Sequence, residues 1–324
     1  MERTKLDDMQ RIVLAWPYLE EEWYGVLEEA RREWLMLART ISETAPIEVL
    51  VRDAKSEAWL RTKLPAAAQL TRIAYADAWV RDTAPWVVAS PNESAAHALC
   101  ARFNGWGGRF DLDDDRELNL RLADVWGLDA VRLDIIGEGG GIEYAPGRPL
   151  LLTESAWLGK TRNQDRDLVA SILLDTLPIK EVRWFTGGLD HDHTDGHIDN
   201  ALRWSDSGQL VIPEAKTPDD PQHAALRRLR EEAEAAFGPE ALWPVPTPGT
   251  LRGTSKEILP ASYVNFLAAG ELLLVPTFGE RSDAEALDRL RAVFPKRFAL
   301  GLPARHLICA GGGFHCLTME APFA

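Results

Sequence analysis

Short apolar runs alternate with amphipathic stretches along this chain in an order that recurs. Residues 150–154 read as a strand, 164–177 as a helix and 181–185 as a second strand. The order returns at 210–214, 221–237 and 242–245, and again at 272–276, 283–294 and 297–300. The leading strands begin at residues 150, 210 and 272, a period of roughly 60 that exceeds the common solenoid repeats. Looser copies precede them. Residues 12–16 lead through a helix to 47–51, and Trp86-Val87-Val88 leads through a helix over 115–126 to 131–135. In the first helix Trp23, Val26, Leu27, Ala30, Trp34, Leu37, Ala38 and Ile41 recur at three- and four-residue steps. One stripe therefore faces a core, and its tryptophans belong to that core.

Further strands are predicted over 197–204 and 262–267, each followed by turn residues (Ser205-Asp206-Ser207-Gly208 and Ala268-Ala269-Gly270) that read as hairpins. A hairpin, a helix and a return strand, repeated five times, predict an α/β fold closed into a ring. The units run over about 11–51, 75–136, 141–186, 197–246 and 261–320 of a single domain spanning 1–324. A ring leaves an axial pocket where residues distant in sequence meet.

Composition narrows the function. With 324 residues, 46% of them hydrophobic and 27% charged, the chain can bury a sizeable core. Fifty acidic residues against 36 basic ones give a net charge of −14, and no basic run is present. Nucleic acid and anionic membrane surfaces are thereby disfavoured as partners, and a cationic small molecule is mildly favoured. Met1–Asp8 lacks the apolar core of a leader and no apolar run reaches membrane-spanning length, so a cytoplasmic location is expected. Self-association is left open. The three cysteines, Cys100, Cys309 and Cys316, form neither a disulfide framework nor a zinc-ribbon spacing.

The residues with chemical potential fall at the inner edges of the units. His197 and Asp199, two apart on the predicted strand, would share one face, and Cys316 follows Gly311-Gly312-Gly313 near the end of the chain. An imidazole near neutral pKa can carry a proton to a leaving amine, and a carboxylate can pair with a planar guanidinium. Asp82 could clamp the guanidinium's other nitrogen. Cys316 attacks only as thiolate, so a neighbouring imidazolium or a cationic substrate must favour its ionisation. Cys100 and Cys309 read as small buried hydrophobes. The His191-Asp192-His193 cluster invites a metal reading, but Gly196 interrupts the His-x-His-x-Asp-His pattern and no matching later motif follows. No metal or organic cofactor is expected.

Together these segments resemble the agmatine deiminase and bacterial-type peptidylarginine deiminase family. The likeness rests on Leu14-Ala15-Trp16-Pro17, Trp79-Val80-Arg81-Asp82-Thr83-Ala84-Pro85, Phe103-Asn104-Gly105-Trp106-Gly107-Gly108 and Glu138-Gly139-Gly140. It continues through Thr194-Asp195-Gly196-His197-Ile198-Asp199, Ala261-Ser262-Tyr263-Val264-Asn265-Phe266 and Gly311-Gly312-Gly313-Phe314-His315-Cys316. The resemblance implies a five-bladed pseudosymmetric α/β propeller, the pentein fold. It also implies a hydrolase acting on the C–N bond of a linear amidine, agmatine foremost, on a route to putrescine. By the same likeness Cys316 is the nucleophile, His197 the general acid and base, and Asp82 and Asp199 the guanidinium-binding pair. Trp79 is then an aromatic wall, Asn265 a polar pocket position and Glu138 a support for His197. The chain departs from the family pattern where Arg-Asn-Pro reads Arg162-Asn163-Gln164, and it lacks the Trp-Glu-Pro-His-like segment. Arginine or peptidyl-arginine as substrate, amidino transfer to an amine, and a non-enzymatic binding ring are the alternatives.

Overall fold

The short Leu-, Ile- and Val-rich runs satisfy their backbone groups in five separate sheets. The computed structural model describes residues 11–89 and 96–321, so Met1–Asp8 lies outside the described residues. Four sheets share one construction, in which a first strand runs antiparallel to a central strand and a third joins the centre in parallel. These are Trp86–Ala89, Ala96–Arg102 and Asp129–Ile136; then Ile142–Glu143, Leu150–Thr153 and Val182–Phe185. Arg203–Trp204, Leu210–Glu214 and Leu242–Pro246 follow, then Leu267–Ala269, Leu272–Thr277 and Phe298–Pro303. A parallel pair needs a crossover, and helices Leu118–Val125, Arg166–Thr176, His223–Phe237 and Asp283–Val293 supply it.

The remaining sheet draws on both ends of the chain. Met319–Ala321 runs antiparallel to Arg11–Ala15, and Ile47–Val51 lies parallel to the latter after the helix Leu27–Ser42. The last residues of the fifth unit thus complete the first. Helices join neighbouring sheets: Asp283–Val293 packs on both Leu242–Pro246 and Phe298–Pro303, and Leu27–Ser42 on both Ile47–Val51 and Phe298–Pro303. That last contact closes the ring of ββαβ units. The helix stripe is buried as the periodicity requires, with Trp34, Leu37, Ala38 and Ile41 fully enclosed. Leu150, Leu151 and Leu152 are likewise inaccessible, each such leucine contributing about 1.5–3 kcal/mol. No helix among the described residues is long and apolar enough to cross a membrane.

Three local expectations are corrected. The stretch 197–204 is a strand only at Arg203–Trp204, because Ile198–Asn200 forms a 3₁₀ turn whose Ile198 carbonyl accepts from both Ala201 and Leu202 N–H. Backbone groups used in that turn cannot pair with a neighbouring strand. Likewise 262–267 enters its sheet only at Leu267, and Asn265 lies in the loop before it. In the second unit the central strand is Ala96–Arg102, with Trp86–Ala89 as its hairpin partner. An added strand, Gln69–Arg72, borders Ile47–Val51.

Candidate active site

Every chemistry-bearing residue singled out from the sequence sits at the same place in its unit. Trp79 and Asp82 precede Trp86–Ala89, Glu138 precedes Ile142–Glu143, and His197 and Asp199 precede Arg203–Trp204. Asn265 precedes Leu267–Ala269, and Cys316 precedes Met319–Ala321. Five equivalent loops, each leading into the first strand of a sheet, bring these side chains together.

Two clusters meet there. In one, Asn265 Nδ2 donates to Cys316 Sγ at 3.1 Å, while Asn265 Oδ1 accepts from the backbone N–H of His315 at 3.0 Å and of Cys316 at 3.3 Å. Cys316 Sγ lies 3.7 Å from Asp199 Oδ2, which also takes His315 Nδ1 at 2.7 Å. In the other, His197 is fully buried between two carboxylates, with Nδ1 3.8 Å from Asp82 Oδ2 and Nε2 3.5 Å from Glu138 Oε2. Asp82 is steadied by Trp106 Nε1 at 2.9 Å and by the Gly140 N–H at 2.8 Å. Glu138 pairs with the buried Arg162.

Gly140 joins the clusters. A Cβ there would lie 2.6 Å from His197 Nδ1, 3.0 Å from Asp82 Oδ1 and 3.1 Å from Asp199 Oδ2. The imidazole and both carboxylates therefore surround one small volume. Gly312 plays a similar part beside the sulfur, since its Cβ would meet the Trp79 ring at 2.4 Å and Cys316 Cβ at 2.9 Å. Trp79 thus lies against the thiol and is stacked on Trp23 at 5.7 Å with 14° between planes. His197 and Asp199 share the site through the 3₁₀ turn rather than by strand alternation.

Burial sets the proton inventory. Burial pushes Asp199 up to about 7, helped by Asp82 and opposed by His197, Arg203 and Arg81. Burial would hold His197 neutral, but Asp82, Glu138 and Asp199 outweigh it and raise the imidazole to about 9. Cys316 is raised well above the ordinary thiol range by burial and by the Asp199 and Asp82 charges. At neutral pH the site therefore holds an imidazolium and a protonated thiol.

The same shifts forecast how stability responds to pH. Asp77 and Asp115, like Asp199, are pushed up to about 7 by burial, so the folded chain binds these protons more tightly than the unfolded one. Folding is penalised as pH rises through 7. The imidazolium of His197 contributes stability below its free value of about 6.5, and that contribution is lost as pH rises through about 9. Both effects act in one direction, so calorimetry should record a melting temperature that falls between pH 6 and pH 9.5; a rise over that interval would contradict the assignments.

Comparison with known proteins identifies the family. The profile of the Porphyromonas-type peptidyl-arginine deiminase family matches residues 4–322. The chain belongs to that family. A Yersinia pestis protein provisionally named an agmatine deiminase is 29% identical over 338 residues, covering 96% of this chain and 92% of its own. The structure of a provisionally named arginine deiminase from Porphyromonas gingivalis superposes with a TM-score of 0.87 at 27% identity, covering 97% of this chain and 96% of its own. Agmatine deiminase of Enterococcus faecalis shares the fold, with a TM-score of 0.88 at 23% identity over 99% of this chain and 98% of its own.

Within this deiminase-family chain an outer cavity of about 670 Å³ adjoins Trp79 and Trp106. Glu22 and Asp77 line it, as do Arg252 and Lys256. His191 and His193 also line it, and His193 packs its edge on Trp106 and Phe110. Among the described residues no group of three or more His, Cys, Asp or Glu side chains is arranged to hold a metal ion. Cys100 is buried in the second sheet, as its apolar surroundings suggest, whereas Cys309 is buried yet borders the cavity.

Residues that pattern reading passed over have clear positions. Trp106 and Gly140 lie inside motifs already quoted, and His315 adjoins Cys316, but their carboxylate partners lie 24, 58 and 116 residues away and leave no local signal. Arg162 reaches Glu138, the Thr194 carbonyl at 3.3 Å and Asp195 at 3.4 Å, tying two site loops together. Asn163, beside it, bonds both backbone groups of Ile136. The departure at Gln164 leaves both contacts intact.

Gly140 offers a sharp test, because its φ is not among the left-handed values and alanine suits its backbone. The added methyl would fall on the imidazole and both carboxylates. Gly140→Ala should therefore lower kcat/KM by about 10²-fold or more, the scale of a site displaced by an ångström. Overpacking this buried point should also destabilise the fold by about 1–3 kcal/mol, and full activity would show that the three groups do not crowd this point.

Proposed function

We propose that the protein hydrolyses the guanidino group of a small cationic substrate, agmatine, to a ureido product, N-carbamoylputrescine, and ammonia. One observation carries the reading. Both ring nitrogens of His197 and Asp199 Oδ1 are buried without hydrogen-bond partners, beside a cysteine 3.7 Å from the same carboxylate. Buried polar groups are ordinarily satisfied. A planar cation between Asp82 and Asp199 would supply the N–H donor that Asp199 Oδ1 lacks and offset the charge of both carboxylates, while the His197 N–H groups point toward Asp82 and Glu138.

Its positive charge would also lower the Cys316 pKa, so the thiol gives its proton to solvent as substrate binds and Asp199 stays ionised. Sγ then adds to the guanidino carbon. The His197 imidazolium gives its proton to one nitrogen, the C–N bond breaks, and ammonia leaves an S-amidino cysteine. Neutral His197 next takes a proton from water as its oxygen adds to the same carbon. The C–S bond breaks and the hydroxyl proton passes to the departing sulfur, leaving the ureido product and the resting thiol. Fixed carboxylates contribute most, since they hold the carbon in place and do not reorganise as charge moves. Asn265 Nδ2 stabilises the departing thiolate, and Trp79 walls the substrate's alkyl chain.

Glu22 and Asp77 in the outer cavity favour a tail ending in an amine, which agmatine has. Arg252 and Lys256 in the same cavity favour a carboxylate and keep free or peptidyl arginine as the second reading. Ammonia release measured across agmatine, arginine and arginyl peptides separates them. Agmatine turnover well above the others supports the first reading, and none with any of them removes both.

A further inference from the structure

His315 precedes the proposed nucleophile, yet no step above uses it. Its side chain is 7% exposed, and Nδ1 meets Asp199 Oδ2 at 2.7 Å. Its backbone N–H donates to Asn265 Oδ1 at 3.0 Å, the oxygen that also takes the N–H of Cys316. Asp199 Oδ1 has no partner. The carboxylate therefore has one oxygen held and one free.

We propose that His315 is a positioning residue, whose Nδ1–H anchors Asp199 Oδ2 so that Oδ1 faces the guanidinium and the carboxylate stays ionised when substrate arrives. The inference rests on the deiminase reading for its kinetic consequence. A buried imidazole can serve either as a cation or as a neutral donor, and here the second holds. Burial, with Arg203, Arg81 and His197 nearby, keeps His315 well below its ordinary pKa. The bond to Asp199 is therefore donated by a neutral N–H, a role an amide can fill. The groups facing Asp199 are His197, Asp82, Cys316, Arg203, Arg81 and His315. Of these His315 and the Cys316 thiol are the neutral groups at Oδ2, and the imidazole, at 2.7 Å against 3.7 Å for the sulfur, makes the closer bond. A hydrogen bond to the charged form favours ionisation, so its loss should raise the Asp199 pKa.

The test compares His315→Ala with His315→Asn, whose side-chain N–H₂ can take the place of Nδ1–H. In His315→Ala the KM for the guanidino substrate should rise by about tenfold or more, the scale of a lost charge-assisted bond. The acid limb of kcat/KM should move to higher pH. His315→Asn should stay near wild type in both. Carbon-13 NMR of labelled aspartate, with the Asp199 signal assigned through Asp199→Asn, reads the same shift without substrate. Absence of turnover in the wild type would thus sink the deiminase reading alone. An Asp199 titration unchanged in His315→Ala, or an His315→Asn protein that unfolds or behaves as His315→Ala does, would overturn the positioning role.

Discussion

Cys316→Ala should abolish ammonia release from agmatine, lowering kcat by about 10⁵–10⁶-fold, the scale of removing a covalent nucleophile. No second thiol can substitute. Cys309 lies in the turn Leu307–Ala310 with Arg305 beside it, and Cys100 is in the second sheet. Substrate binding should survive, because Asp82 and Asp199 remain, and removing a raised thiol leaves the carboxylates facing the same volume. Calorimetry of the variant with agmatine should accordingly show binding without turnover. The fold should tolerate the change, since deleting one small buried sulfur costs about 1 kcal/mol by analogy with small core truncations. Activity persisting above about 1% of wild type would reject covalent catalysis by Cys316, because an uncatalysed residue cannot sustain it.

His197→Asn should lower kcat by about 10²–10⁴-fold, the range supplied by a positioned proton donor. Its pH signature is more specific than its size. The wild-type kcat/KM should follow a bell with an acid limb near 7, where Asp199 loses its charge, and an alkaline limb near 9, where His197 loses its proton. In His197→Asn the alkaline limb should disappear and the acid limb should move to higher pH, since the imidazolium that opposes the rise of Asp199 is gone. Unlike Cys316→Ala, this variant should retain slow attack, so S-amidino enzyme should accumulate and be visible by mass spectrometry of the intact protein. An alkaline limb that persists unchanged would remove His197 from the proton-transfer role.

Much of this chain was legible before its tertiary structure. The five-fold order followed from apolar runs near residues 12, 150, 210 and 272, because each run had to be buried and each parallel return required a crossover. The residues Cys316, His197, Asp82 and Asp199 could be named from their types and motifs. The expected strand at 197–204 failed because alternation alone does not reveal that Ile198 accepts two backbone bonds in a turn. The strand Ala96–Arg102 was missed because small residues, Ala96, Ala98 and Ala101, weaken its apolar signal.

What the chain's residues determined alone was a repeated α/β unit and an inventory of a thiol, an imidazole and paired carboxylates. Closure of the ring decided the rest: which loops meet, that His315 and not solvent holds Asp199, and that Gly140 lets three groups approach one point. It also decided the proton states. An Asp199 pushed up to about 7 and a His197 raised to about 9 reflect burial and charges from several loops, Asp82 among them from far along the chain. Such fields depend on distance through space, which no local pattern of residues encodes.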